Sequence, residues 1–148
     1  MVDIKRALPD DAESVISLLN RLLEELGGEP IPIEDAQSAL LRLVADPAAG
    51  FALLAIEEKS IVGICTVSFQ EAVRARGRYA LIQEMYVVPQ FRSRGVGAAL
   101  VEEAVSQARS LGCRTVEVGT PAGGDRQEAF YQRLGFAPVG LRLRRPTL

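Results

Sequence analysis

The chain has 148 residues, of which 48% are hydrophobic and 24% charged, with a net charge of -2 and no histidine. That length and balance fit one globular domain, residues 1–148, rather than a disordered chain. The slight acidity argues against a nucleic-acid partner, and no apolar run approaches the roughly 18 residues of a membrane span, so no membrane partner is expected either. The missing histidines exclude Ser-His-Asp and Cys-His nucleophile systems and every His-based metal site, so no metal is expected.

In chain order, Val2 to Ala7 reads as a strand. Pro9 suits a first helical position, and Asp10 and Asp11 suit the positive end of a helix dipole. Val15, Leu19, Leu22, Leu23 and Leu26 follow at helical spacing, and Gly27-Gly28 ends that helix. After a loop with two prolines, Ala36, Leu40, Leu41 and Val44 mark a second amphipathic helix. Phe51 to Ile56 and Ile61 to Phe69 read as a strand hairpin, and Tyr79 to Val88 as a long strand stopped by Pro89. Gly95 to Leu111 carries the clearest apolar helical stripe: Leu100, Val101, Ala104, Val105, Ala108 and Leu111. Thr115 to Val118 is a strand, Asp125 to Leu134 a helix ended by Gly135, and Phe136 to Leu143 a last strand. No leader is legible at Met1 to Arg6, so the expected location is cytoplasmic. Cys65 and Cys113 lie in apolar contexts and read as reduced, buried thiols.

The chemistry concentrates between the long strand and the clearest helix. In Val87-Val88-Pro89-Gln90-Phe91-Arg92-Ser93-Arg94-Gly95-Val96-Gly97 a strand ends, a turn holds two arginines, and a helix opens on Gly-x-Gly. A helix start offers free N–H groups and the positive end of a dipole, and glycines let backbone approach a bulky anion. The segment therefore reads as a phosphate or pyrophosphate seat. The P-loop pattern GxxxxGK[ST] is absent. The dinucleotide pattern G-x-G-x-x-G has Leu100 at its third glycine position, although Glu117 lies about 20 residues on.

The run Arg92-Ser93-Arg94-Gly95-Val96-Gly97 resembles the signature Gln/Arg-x-x-Gly-x-Gly/Ala of the GNAT superfamily of acyl-CoA-dependent N-acetyltransferases. Val87-Val88-Pro89 before it, the opening strand and helix, and the late Phe130-Tyr131-Gln132-Arg133-Leu134-Gly135-Phe136 extend the resemblance over nearly the whole chain. It implies a mixed α/β, three-layer fold: a mostly antiparallel sheet of six or seven strands flanked by about four helices. It implies acetyl-CoA as co-substrate, its pyrophosphate held by Arg92, Ser93, Arg94, Gly95, Val96, Gly97 and Ala98, and its pantetheine arm by main-chain groups of Met85, Tyr86 and Val87. It assigns Glu84 the position of the general base and Tyr131 that of the acid for the departing thiolate. Glu71 and Glu117 are weaker stand-ins for the base. Many relatives carry an asparagine after the penultimate strand. Here the run is Gly119-Thr120-Pro121-Ala122-Gly123-Gly124-Asp125, and Thr120 or Asp125 takes its place.

The expected reaction is direct acetyl transfer to a primary amine of a small molecule or peptide. A non-catalytic acyl-CoA-binding module needs the glycine turn but neither Glu84 nor Tyr131. Arg74, Arg76 and Arg78, with Arg142, Arg144 and Arg145, read either as solvated charge or as attraction for an acidic acceptor. An exposed late strand makes a second copy of the chain a candidate partner.

Overall fold

The computed structural model describes residues 2–148. Five strands form one sheet in the order β1-β2-β3-β4-β5, with β1 Asp3–Arg6, β2 Gly50–Glu57, β3 Ser60–Ala72, β4 Gly77–Val87 and β5 Val116–Val118. The first four pair antiparallel, and β5 joins β4 in parallel. Four helices, α1 Ala12–Glu25, α2 Ile33–Ala45, α3 Val96–Ser110 and α4 Asp125–Arg133, complete the fold.

Two apolar clusters make this a three-layer structure. Val15, Ile16 and Leu18 of α1 and Ala36 and Leu40 of α2 pack against Leu54, Ile64 and Tyr86 on one face of the sheet. Val96, Leu100, Val101, Ala104 and Ala108 of α3 and Tyr131 of α4 pack against Leu53, Cys65, Val67 and Ile82 on the other. Strand β2 has helices over both faces, which is why Phe51 through Ala55 are all buried and its sequence shows no alternation.

The local signals act where expected. Pro9–Asp11 forms a single 3-10 turn, and the Asp11 carboxylate accepts the Leu8 N–H at 2.8 Å before α1 begins. Gly27 takes a φ of 80°, and Gly28 N–H donates to the Leu23 carbonyl at 2.8 Å, closing the helix. The buried stripe of α1 is centred on Val15, Ile16 and Leu18, so Leu26 is left half exposed.

One expected element is corrected. Phe136 to Leu143 forms no strand, and the sheet has five strands rather than six or seven. Phe136 N–H bonds the Tyr131 carbonyl at 3.0 Å as the chain leaves α4, and everything beyond is exposed. The alternation that suggested a strand is present, but a strand exists only beside a partner, and within one chain this segment has none. Among the described residues no helix is long and apolar enough to cross a membrane.

Candidate active site

The site starts from a defect in the sheet. On β3 and β4, Thr66 faces Glu84 while Val67 faces Ile82, so Gln83 is an extra residue with nothing opposite it. Such a bulge breaks the period of two and re-aims the side chains beyond it. Ile82 belongs to the α3/α4 cluster, whereas Tyr86 belongs to the α1/α2 cluster. Simple alternation groups Ile82, Glu84, Tyr86 and Val88 on one face; the bulge moves Ile82 to the opposite one.

The same bulge ends the pairing with β5. The parallel ladder runs through Ala80, Leu81 and Ile82 and stops there. Strand β4 continues to Val87 with no strand beside it on that edge. Met85, Tyr86 and Val87 border the resulting gap, and Thr120 is exposed just past the end of β5. Asp125 opens α4, also exposed.

Glu84 is half-buried beside this gap and is held at two points. Its carboxylate accepts a hydrogen bond from the Thr66 hydroxyl, and its N–H donates to the Thr66 oxygen at 3.1 Å. Among the described residues Thr66 is the one buried polar or charged side chain outside the apolar set, 4% exposed. Cys65 and Val67 on either side of it belong to the α3/α4 cluster, so Thr66 and its partner Glu84 face α1 and α2.

Tyr131 lies on the other face. It is buried and packs edge-on against Phe130 and Phe136, with ring centroids 5.0 and 5.5 Å away. Burial pushes its phenol above the ordinary tyrosine value, and the Cys65 thiol nearby adds to the shift. The hydroxyl therefore stays protonated. Burial also pushes the Cys65 thiol up to about 12, with the Glu84 charge reinforcing it, so Cys65 is no nucleophile. Both cysteines are free, and Cys113 is only half-buried rather than buried.

The turn after β4 opens α3 on left-handed torsions and free amides. Ser93 and Gly95 both take left-handed torsions, with φ of 63° and 81°. The first hydrogen bond of α3 runs from Ala99 N–H to the Gly95 carbonyl at 3.0 Å, so the amides of Val96, Gly97 and Ala98 have no acceptor inside the helix. Gly95 has open space around it, so its torsion is what demands glycine. Gly97 is glycine for a different reason: a Cβ there meets Phe130 at 3.2 Å and Met85 at 3.5 Å. Close contact at Gly97 thus ties α3, α4 and β4 together at the mouth of the gap.

The two arginines of the turn differ. Arg92 folds back, its Nε donating to the Val87 carbonyl at 2.8 Å and its terminal nitrogen to both Glu25 oxygens at 2.8 and 3.0 Å. It also lies over the Tyr86 ring at 5.2 Å, with Arg21 on the same ring at 5.7 Å. Tyr86 hydroxyl donates to Glu25 at 3.4 Å. Arg94 stacks on Phe91 at 5.3 Å and makes no ion pair among the described residues.

Thr66, Glu25 and the Gln83 bulge were not legible in the sequence, because each matters through a partner 16 or more residues away. The weaker base candidates lie elsewhere: Glu71 pairs opposite Arg78 near the β3–β4 turn, and Glu117 is bridged to Arg74 at 3.5 Å. Arg74 and Arg78 stack on Tyr79 and Phe69. An open cleft of about 340 Å³ at that turn, lined by Arg74, Arg76, Arg114 and Glu117, touches neither Glu84 nor Tyr131. No group of residues suited to a metal ion occurs among those described.

The sequence profile of the Acetyltransferase (GNAT) family matches residues 13–136. The chain belongs to the GNAT family. An aminoalkylphosphonate N-acetyltransferase of Salmonella typhimurium is 24% identical over 90% of this chain and 84% of its own length. The mycothiol acetyltransferase of Propionibacterium freudenreichii is 31% identical over 72% of this chain, but the match takes in only 33% of that protein. An N-acetyltransferase of Methanocaldococcus jannaschii is 42% identical over 38% of this chain and 25% of its own length. The chain thus spans about a quarter to a third of two of these relatives. Among solved structures, an aminoglycoside N-acetyltransferase in complex with CoA superposes with a TM-score of 0.86 at 18% identity, covering all of this chain and 96% of that one. A possible acetyltransferase from Clostridium difficile 630 gives the same TM-score at 15% identity. At those identities the structures show a shared fold. The family match over residues 13–136 places the chain among the GNAT acetyltransferases.

Proposed function

We propose that this GNAT domain moves an acetyl group from acetyl-CoA directly to a primary amine, working with the cytoplasmic acyl-CoA pool. The observation that carries the reading is the gap beside β4, with Glu84 on one side of the sheet and Tyr131 on the other. The pyrophosphate sits on the amides of Val96, Gly97 and Ala98, with Ser93 and Gly95 shaping the turn and Arg94 supplying charge. Arg92 contributes through its backbone, since its guanidinium is occupied by Glu25 and Val87. Main-chain groups of Met85, Tyr86 and Val87 take the pantetheine arm, with Thr120, in the loop after β5, as a further contact.

The amine enters from the α1/α2 side. A lysine-like amine costs roughly 4–5 kcal/mol to deprotonate at neutral pH. Glu84, directly or through a water, takes that proton. The amine attacks the thioester carbonyl while an amide of β4 polarises it, the carbon–sulfur bond breaks, and Tyr131 protonates the leaving thiolate. No acyl-enzyme forms, consistent with the absence of histidine and the inert Cys65.

The acceptor is sought with a thiol-release assay using acetyl-CoA against amino acids, aminoglycosides, peptides and aminoalkylphosphonates, the last chosen because of the Salmonella relative. Release of CoA with at least one amine supports the reading. Tight acetyl-CoA binding with no turnover on any amine supports the binding-module alternative instead.

A further inference from the structure

The sheet face that α1 and α2 cover is apolar only part of the way. On β3 and β4 their cluster takes in Ile64 and Tyr86 and stops at the level of Thr66 and Glu84. Past that level the cross-strand rows on the same face are Ser68 with Leu81 and Gln70 with Tyr79, because Val67, Phe69, Ala80 and Ile82 face α3 and α4. Ser68 and Gln70 are half-buried, and Gln83 is exposed. The Gln83 and Gln70 amide nitrogens both donate to the Ser68 hydroxyl oxygen, at 2.8 and 3.1 Å. Their amide oxygens accept from no other group among the described residues. This stretch of sheet is therefore a wet surface of hydrogen-bonding side chains that starts beside the Glu84 carboxylate.

The polar rows lead to the arginine cleft at the β3–β4 turn. Arg74 lies over the Tyr79 ring at 5.1 Å and is bridged to Glu117 at 3.5 Å. Glu117 pairs opposite Leu81, three residues before Glu84 on β4, so the near end of the cleft is about 10 Å from Glu84 at about 3.3 Å per residue. From there the cleft runs away from Glu84, past Thr115 to Arg114 and Arg76. Arg76 and Arg114 have no acidic partner among the described residues, so three guanidinium groups share one carboxylate. On a chain of net charge -2 this is a local excess of positive charge. The turn itself is fixed, with Ala75 N–H bonded to the Ala72 carbonyl at 3.1 Å and Arg76 N–H to the Val73 carbonyl at 3.0 Å. Arg76 takes a φ of 58°, a left-handed position that favours glycine or asparagine, so the backbone does not account for an arginine there.

The other direction from Glu84 is closed. Tyr86 is buried there, and Arg92, held by Glu25, lies over its ring. An acceptor whose amine reaches Glu84 on this face extends one way, across the polar rows, and its far end meets the positive cleft. We propose that the acceptor is an acidic peptide, with its amine at Glu84, its backbone over Ser68, Gln70 and Gln83, and a carboxylate three to five residues along bound by Arg74, Arg76 and Arg114. Three to five extended residues span about 10–17 Å, which matches the distance from Glu84 into the cleft. A free amino acid or an aminoalkylphosphonate carries its amine and its anion only a few bonds apart and does not reach both. Guanidinium groups suit this task because their forked N–H groups pair with both oxygens of a carboxylate. The role of Glu84 as base is taken from the function proposed above, and the peptide assignment rests on it.

The test measures kcat/KM with acetyl-CoA for peptides whose one free amine is the N-terminal α-amine, with glutamate, glutamine or arginine at the third to fifth positions. The glutamate peptide is expected to lead the glutamine peptide by about tenfold, since two or three exposed ion pairs together are worth about that much. The advantage should lie in KM and shrink as salt is raised, and the arginine peptide should be the poorest. The double substitution Arg76→Gln and Arg114→Gln changes only exposed side chains. It is expected to keep the far-UV spectrum and to cut the advantage of the glutamate peptide below about threefold. Equal kcat/KM for the glutamate and glutamine peptides overturns the proposal, as does an advantage that survives the double substitution. Turnover of small amines with none on any peptide overturns it too, while acetyl transfer itself stands. No turnover on any amine overturns the acetyl-transfer reading, and the peptide assignment falls with it.

Discussion

Thr66 and Glu84 hold each other through two hydrogen bonds across a register break, side chain to side chain and backbone to side chain. The bulge at Gln83 turns Glu84 towards α1 and α2, and Thr66 fixes the carboxylate once it is there. Thr66→Val keeps the volume and removes the hydroxyl. It is expected to cost about 1–3 kcal/mol in stability, because Glu84 N–H loses its acceptor. It also shifts the pH dependence of kcat, whereas Thr66→Ser preserves the profile. Identical profiles for the valine and serine variants would assign Thr66 to packing alone.

Glu84→Gln removes the proton acceptor and leaves the shape. A loss of about 10²–10⁴-fold in kcat is expected near neutral pH. The deficit should shrink as pH rises towards the acceptor amine's own pKa, since free amine then needs no base. A constant deficit across that range contradicts a base role for Glu84.

The two glycines of the turn should fail differently. Gly95→Ala forces a side chain into a left-handed torsion and is expected to cost about 1–2 kcal/mol with modest loss of CoA affinity. Gly95→Glu puts a negative charge at the phosphate seat and should abolish CoA binding in a calorimetric titration. Gly97→Ala presses on Phe130 and Met85, so it should disturb the gap and raise KM for acetyl-CoA.

Alkaline stability follows from Cys65. Its folded-state pKa is raised from 9.0 to about 12. The stabilisation is therefore complete below pH 9 and is lost as pH rises from 9 towards 12, because the unfolded chain releases the proton first. The expected slope is about 1.4 kcal/mol per pH unit per group. The raised phenol of Tyr131 acts in the same direction at higher pH. Denaturant midpoints measured between pH 7 and 11 should fall above pH 9 in the native chain and more gently in Cys65→Ala.

Much of this architecture was legible from residue order. The apolar stripe of α3, the helix stop at Gly27, and the Arg92-to-Gly97 turn all follow from local spacing and local torsions. The GNAT signature could be matched for the same reason, since it is contiguous. What escaped was non-local. Gln83 looks like any strand residue until its lack of an opposite number is seen on β3. The ion pair of the Arg92 guanidinium with Glu25, at the end of α1, spans 67 residues of sequence. Phe136 to Leu143 has the right alternation for a strand, and only the position of β5 shows that its own chain gives it no partner.

The central claim is direct acetyl transfer across the β4 edge, and isotope-labelled acetyl-CoA with intact-mass detection tests it most closely. With an accepted amine, the label should appear on the amine while the protein keeps its unmodified mass throughout turnover. Tyr131→Phe should slow that transfer more than it weakens acetyl-CoA binding. An acetylated protein intermediate, or labelled acetyl-CoA that binds and is never passed to any amine, would contradict the account.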